Sequence, residues 1–179
     1  MRYFIGYLIE GEAGEYYKKI TADLSERFGI KNLSEYIPLH LTLKAPFETG
    51  DISVIEKVLE DTAVKEETSP LVIDGFERFG SQSRTIFLGI KDNVRVQEKA
   101  EKLLHLLSGF GNYQKPIPLP LKLHASIARY LSPEQSQNVW DYVSSLPAPH
   151  FDLQFNNLTL FVHQDNHWEI QKTFYFHDN

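Results

Sequence analysis

The stretch YIPLHLTLKAPFETG, residues 36–50, decides the fold, because a histidine and a hydroxyl alternate with leucines in it. Side chains two positions apart on a strand point to the same face of a sheet. The leucines therefore share one face, which predicts a strand with one buried side. The opposite face is predicted to carry the polar side chains, which are His40, Thr42 and Lys44.

A second stretch, LPLKLHASIARY at residues 119–130, repeats this arrangement. Alternation there places Lys122, His124 and Ser126 on one face of a second strand, and Arg129 on the opposite face. With 7 histidines in the chain, about one His-x-Ser/Thr match is expected by chance, so the bare motif is weak evidence. Both copies, however, have leucine before the histidine and apolar residues at the two odd positions after it, which makes the repeat more specific.

The residue types of the two motifs suit phosphodiester chemistry. An imidazole titrates near neutral pH and can donate or accept a proton. A hydroxyl can donate a hydrogen bond to a phosphate oxygen, and a cation offsets the phosphate charge. Two such sets facing each other would provide an acid, a base and donors for the oxygens of the phosphoryl group.

HLTLKAPF and HASIAR resemble the paired His-x-Thr/Ser motifs of the two-histidine (2H) phosphoesterase superfamily, which includes bacterial 2′-5′ RNA ligase-like proteins and 2′,3′-cyclic phosphodiesterases. The resemblance extends to the opening YFIGYLI, to TIFLGI before the third helix, and to a closing hairpin with Trp168. It implies a metal-independent phosphoesterase that hydrolyses 2′,3′-cyclic or 2′-5′-linked phosphodiesters of nucleotides or RNA ends. Neither a cofactor nor a metal is implied.

The same resemblance implies roles for individual residues. His40 and His124 would transfer protons, and Thr42 and Ser126 would hold the non-bridging oxygens. The motifs do not assign the acid and the base, although we favour His124 as the base and His40 as the acid. The expected substrate-binding residues are Lys44, Lys122 and Arg129.

Composition limits the partners. The 179 residues carry a net charge of −6 and include no cysteine. Disulfides and thiolate sites are therefore excluded, and we expect no binding of long nucleic acid, which needs dense basic patches. The opening apolar run is too short for a signal peptide or a membrane span, so we expect a cytoplasmic protein that does not bind membranes. The expected partner is a small nucleotide or an RNA end, bound by a monomer.

Periodicity along the chain predicts an α+β fold, with antiparallel-rich sheets, helices on the outside and a central groove. Residues 1–179 would form one domain of two similar lobes, each contributing one motif strand. Pro46 is expected to end the first motif strand, and the Gly- and Pro-rich segment 108–120 is predicted to be mobile. Helices are predicted over 15–28, from about 53, over 94–107 and over 133–145. Strands are predicted over 2–9, 39–43, 71–79, 85–90, 121–130, 151–163 and 168–176.

Two other functions remain open at this point. The same groove could bind a nucleotide without turnover, as a non-catalytic module. It could also act on a phosphodiester outside the nucleotides, such as a cyclic metabolite, or on a tRNA-splicing intermediate. Calorimetry beside a turnover assay separates the first alternative from an enzyme.

Overall fold

A computed structural model describes residues 1–80, 83–91, 93–110 and 122–177. The strands are β1 (Arg2–Leu8), β2 (His40–Glu48), β3 (Ser69–Arg78), β4 (Ile86–Ile90), β5 (His124–Ala128), β6 (His150–Phe155), β7 (Asn157–Gln164) and β8 (His167–Tyr175). The helices are α1 (Gly11–Phe28), α2 (Ser53–Ala63), α3 (Val94–Leu106) and α4 (Pro133–Ser145), with a 3-10 turn at Leu33–Glu35. Most of the segment predicted to be mobile lies outside the described residues, as does the predicted start of the second motif strand at residue 121.

The strands form two antiparallel four-stranded sheets, in the orders β2-β1-β7-β8 and β5-β4-β3-β6. The predicted α+β class is confirmed, and each sheet contains one motif strand. The sheets do not correspond to halves of the sequence, however. The second sheet uses the middle of the chain, whereas β7 and β8 return to the first sheet because β1 has a second edge to pair.

The predicted strand over 151–163 is wrong, because it is two strands in different sheets. The chain leaves the second sheet after Phe155 and enters the first at Asn157. The buried amide of Asn157 bonds to the backbone N–H and carbonyl of Leu8, at 3.0 and 3.1 Å. This side chain fixes the change of sheet, and the sequence signal for it is the pair Asn156-Asn157, at which the apolar alternation shifts by one residue.

The first motif strand continues through Pro46 to Glu48, so the prediction that the proline ends it is wrong. Two residues of β2, Ala45 and Pro46, oppose the single residue Phe4 of β1, which is a β-bulge. β2 is also an edge strand of its sheet. A proline lacks an N–H to donate and is tolerated at bulges and edges for that reason.

Helix α1 begins at Gly11, four residues before the predicted start. Gly11 has a φ of 66°, which glycine adopts without strain. A Cβ on Gly14 would lie 3.3 Å from the carbonyl oxygen of Ile9, so the first turn packs closely on the chain leaving β1. Gly11 and Gly14 therefore allow the first turn of α1 to follow closely after β1.

The main apolar core packs the helices against both sheets, with Ile5, Leu41, Leu88 and Ala125 each fully buried. A smaller cluster lies on the other face of the first sheet and consists of Phe4, Leu8, Ile37 and Phe161, with Leu33 and Trp168 packed against it. This second cluster supports the face that carries the first motif histidine. Within the described residues, no helix has the length and apolarity that crossing a bilayer requires.

Candidate active site

The two motif strands meet at the middle of the fold. β2 and β5 are edge strands of separate sheets, and they contact each other. His40 pairs with Leu8 of β1, and His124 pairs with Gly89 of β4. Each motif strand is therefore held on one side by its own sheet and faces the other motif strand on the other side.

The imidazole rings of both histidines pack against aromatic side chains. The ring of His40 lies 4.8 Å from that of Phe4 and 5.6 Å from that of Phe161, between centroids. The ring of His124 lies 4.9 Å from Phe79 and 5.2 Å from Phe87. The aromatic rings limit how far either imidazole can rotate and remove water from one side of it.

Each imidazole is held by the carbonyl two residues before it. Nδ1 of His40 lies 2.8 Å from the oxygen of Pro38, and Nδ1 of His124 lies 2.9 Å from that of Lys122. A carbonyl oxygen only accepts, so Nδ1 carries the proton in both rings. Neither Nε2 has a hydrogen-bond partner among the described residues, which leaves Nε2 as the atom that can exchange a proton with a ligand.

Burial and neighbouring positive charge lower the pKa of both histidines. For His40, burial is the largest cause, and the charges of Arg129 and His124 add to it, giving a pKa of about 4. For His124, burial again leads, followed by the charges of Arg129 and Lys122. Without a bound anion, His40 is therefore neutral at pH 7 and has a lone pair on Nε2.

The lowered pKa of His40 makes stability depend on pH. Unfolded histidine titrates near pH 6.5, so this group contributes stability that is present above pH 6.5 and lost as the pH falls towards 4. We expect the free energy of unfolding of the wild type to fall relative to that of His40→Gln by on the order of 2 kcal/mol between pH 7 and 4.5. Urea unfolding of both proteins at the two pH values measures this, and parallel pH profiles would contradict it.

A bulge in β2 places Lys44 on the opposite face from Thr42. Gly6 of β1 pairs with Thr42 while its neighbour Ile5 pairs with Lys44, so Leu43 is an extra residue. Paired residues of neighbouring strands point to the same face, whereas Ile5 and Gly6 point to opposite faces. The prediction that Lys44 shares the face of the histidine and Thr42 is therefore wrong.

Lys44 is fully buried, at 0% exposure. Its Nζ donates to the carbonyl oxygens of Leu107 and Phe110, at 3.1 and 3.0 Å, just beyond the end of α3. Burial lowers the pKa of this ammonium to about 8. Through these contacts Lys44 joins β2 to the C-terminal end of α3, and it does not line the groove.

Lys44→Ala is expected to lower the free energy of unfolding by about 2–4 kcal/mol, because it leaves a cavity and removes the donor for two carbonyls. Lys44→Met should recover only the part of this loss that comes from the cavity, since it refills the volume but cannot donate to the two carbonyls. Urea unfolding at pH 7 measures both, with the exposed Lys19→Ala as the control that should stay within about 0.5 kcal/mol. A Lys44→Ala variant as stable as that control would contradict the assignment.

A second bulge brings Arg129 to the site. Across two consecutive residues of β4, the pairing partner in β5 changes from Ser126 to Ala128, so Ile127 is extra. Ala128 thereby turns to the opposite face and ends β5, and the charge of the next residue, Arg129, lowers the pKa of both His40 and His124. The expectation from strict alternation, that Arg129 points away from His124, is wrong for this reason.

The remaining polar groups of the motifs lie around the histidines. Thr42 and Ser126 are half-buried, and neither hydroxyl has a hydrogen-bond partner among the described residues. Lys122 is exposed and pairs with Glu77 at 2.9 Å, with its ammonium 5.6 Å from the centroid of Phe79. The hydroxyls are thus available to a ligand, while Lys122 is shared with a carboxylate at the surface.

Sequence reasoning missed two glycines beside the motifs. Gly6 pairs with Thr42, and a Cβ there would lie 2.8 Å from the carbonyl oxygen of Leu41. Gly89 pairs with His124, and a Cβ there would lie 2.7 Å from a carboxylate oxygen of Glu77. A single glycine inside an otherwise apolar strand is the signal that could have found both.

The arrangement can exchange protons at two Nε2 atoms and donate hydrogen bonds from two hydroxyls, beside the guanidinium of Arg129. That set suits a phosphoryl group with negative charge on its oxygens. In the part of the chain that the structure describes, no group of three or more His, Asp or Glu side chains could hold a metal ion.

Comparison with protein families and curated proteins places this chain among phosphoesterase relatives. Residues 17–167 match the family model of the 2′-5′ RNA ligase superfamily. A presumptive phosphoesterase of Geobacillus sp. strain WCH70 is 29% identical over 142 residues, which cover 77% of this chain and 78% of that protein. A presumptive phosphoesterase of Bacillus pumilus strain SAFR-032 is 25% identical over 141 residues, covering 77% of this chain and 79% of that protein.

Solved structures share the fold over nearly the whole chain. TT0787 of Thermus thermophilus superposes with a TM-score of 0.65 at 15% identity, covering 98% of both chains. LigT of E. coli, in its complex with 3′-AMP, superposes with a TM-score of 0.64 at 18% identity, covering 98% of this chain and 97% of LigT. The fold is therefore the α+β fold of LigT, with its two related sheets.

Proposed function

Because this chain belongs to the 2′-5′ RNA ligase superfamily, we propose that it is a metal-independent phosphoesterase for 2′,3′-cyclic or 2′-5′-linked nucleotide phosphodiesters. The observation that carries the proposal is the matched pair of imidazoles, each with Nδ1 bonded to a backbone carbonyl and Nε2 left for a ligand. Structures of LigT in complex with 3′-AMP and with ATP support a nucleotide as the ligand.

In the proposed reaction, water attacks phosphorus while one histidine accepts its proton at Nε2. The P–O bond to one ribose oxygen breaks, and the other histidine donates a proton to that oxygen. His40 is neutral at pH 7, because its pKa is about 4, and it is therefore suited to the role of base. This is the reverse of the assignment that the sequence analysis favours.

His124 then acts as the acid, which requires it to be protonated when the substrate is bound. A phosphate anion beside the ring favours the imidazolium and opposes the effect of burial. Thr42 and Ser126 donate hydrogen bonds to the non-bridging oxygens, and the guanidinium of Arg129 offsets their charge. Lys122 lies at the surface on the same side and would meet the more distant parts of a nucleotide.

A panel of 2′,3′-cyclic nucleotides and 2′-5′-linked dinucleotides, incubated with the protein in EDTA, tests the proposal. We expect hydrolysis of at least one class, with products that differ in the position of the phosphate. Calorimetry with the same nucleotides accompanies the assay. Tight binding without any product would contradict the proposal and favour the non-catalytic binding module.

A further inference from the structure

A groove of about 430 Å³ opens beside the candidate active site. Its lining includes Arg129, Tyr130 and Leu131, which follow β5 directly. It also includes residues after α1 and around the β7–β8 turn, among them Lys31, Tyr36, Ile37 and Trp168. We call this the Tyr130 groove.

Two residues that line the Tyr130 groove, Arg129 and Trp168, relate it to the site of the two histidines. Arg129 lines the groove and lowers the pKa of both His40 and His124 through its charge, so it lies within electrostatic reach of both. The ring of Trp168 lies 4.8 Å from that of Phe4, and the ring of Phe4 lies at the same distance from that of His40, between centroids. A ligand with its phosphate between the histidines would therefore extend into this groove.

The charge of the groove favours an anion. Its described lining includes the cations Arg129 and Lys31 and no carboxylate, although the chain as a whole has a net charge of −6. The ammonium of Lys31 lies 3.2 Å from the centroid of the Tyr36 ring, and His167 stacks on that ring with centroids 5.2 Å apart. The cation is thus held by an aromatic side chain rather than by an acidic one.

The exposed ring of Tyr130 gives the groove an aromatic surface. Tyr130 is 75% exposed and has a φ of 60°, a backbone conformation that is strained for a bulky residue. The side chain of Arg84 maintains it by donating to the carbonyl oxygens of Leu131 at 2.8 Å and Tyr130 at 3.4 Å. Strain that the surrounding structure maintains, on an exposed aromatic residue beside a candidate site, is typical of a binding position.

From these observations we infer that the Tyr130 groove binds a second nucleotide, the one that precedes the phosphate-bearing nucleotide in an oligonucleotide. Its base stacks on Tyr130, and the phosphate that joins the two nucleotides meets Lys31 and Arg129. The inference rests on the proposed function, because it takes the terminal phosphate to lie between the histidines. It makes the substrate an RNA end rather than a lone cyclic mononucleotide.

Calorimetry tests the inference with two product-like probes, adenosine 3′-monophosphate and the dinucleotide ApA carrying a 3′-phosphate. We expect the dinucleotide to bind about tenfold more tightly, as stacking of one base on an aromatic ring implies. Tyr130→Gly removes the ring while it accepts the positive φ, and should reduce the ratio of the two affinities to about one. Tyr130→Phe keeps the ring and should keep the ratio.

Matched controls lie outside the groove. Tyr175→Ala removes another exposed tyrosine and should leave the tenfold ratio intact, as should Lys19→Gln. Lys31→Gln should lower the ratio and weaken its dependence on salt, because it removes one phosphate contact.

The outcomes separate this inference from the proposed function. Equal affinities for the two probes, or a ratio that Tyr130→Gly leaves unchanged, would overturn the second-nucleotide site, even if cyclic phosphates are hydrolysed. A ratio that depends on Tyr130, in a protein that hydrolyses none of the panel in EDTA, would support the site while refuting the proposed hydrolysis.

Discussion

His40→Ala and His124→Ala are each expected to lower kcat for adenosine 2′,3′-cyclic phosphate, in EDTA, by roughly a thousandfold. The reason is that each variant removes one of the two proton transfers, and a positioned acid or base contributes about 10²–10⁴-fold. The two losses should not multiply in the double variant, since the residues act as a unit. Stopped assays that resolve the 2′- and 3′-monophosphates measure the effect.

His105→Ala is the matched control, because His105 is exposed on α3 and belongs to neither motif strand. It should retain full activity. Urea unfolding of each variant shows whether a loss of activity comes from a loss of folding. If either His40→Ala or His124→Ala kept more than about a tenth of the wild-type kcat, the two-histidine mechanism would be wrong.

A substrate with a good leaving group distinguishes the acid from the base. A 4-nitrophenyl phosphodiester releases its phenolate without needing a proton, so loss of the acid matters less for it. If His40 is the base, the kcat of His124→Ala should be much closer to that of the wild type on this substrate than on the cyclic phosphate. The kcat of His40→Ala should stay low on both substrates. The opposite pattern would restore the assignment that the sequence analysis favours.

Thr42→Val and Ser126→Ala are each expected to lower kcat by about a hundredfold, with little change in KM. Each variant removes one hydrogen-bond donor for the charge that develops on the phosphoryl oxygens, and such a donor typically contributes about 10²–10³-fold in kcat. Neither hydroxyl has a partner among the described residues, so the substitutions leave no buried group unpaired in the free protein.

The hydroxyl-retaining variants Thr42→Ser and Ser126→Thr serve as controls and should keep most of the activity. Steady-state kinetics with a 2′,3′-cyclic nucleotide gives kcat and KM for all four proteins. A rise in KM at unchanged kcat would assign the hydroxyls to binding of the ground state instead. If neither kcat nor KM changed, the hydroxyls of Thr42 and Ser126 would not contact the substrate.

Most of the fold could be predicted from the sequence because its signals are local. Apolar alternation over residues 39–43 predicts the strand, and Pro133 predicts the first turn of α4. The predicted strand bounds were wrong where the conformation of a residue depends on partners that are distant in sequence. Pro46 stays in a strand because β2 is an edge strand with a bulge, and Asn157 begins β7 in the other sheet, where its amide bonds to Leu8.

The sequence by itself determined that two histidine-and-hydroxyl strands exist, and that each buries its other face. Only the tertiary structure decided which of their neighbours join the site. The bulges at Leu43 and Ile127 bury Lys44 and bring Arg129 to the histidines, which reverses what alternation predicts for both. The physical reason is that alternation is a property of one chain, whereas a bulge arises from the register between two strands that are distant in sequence.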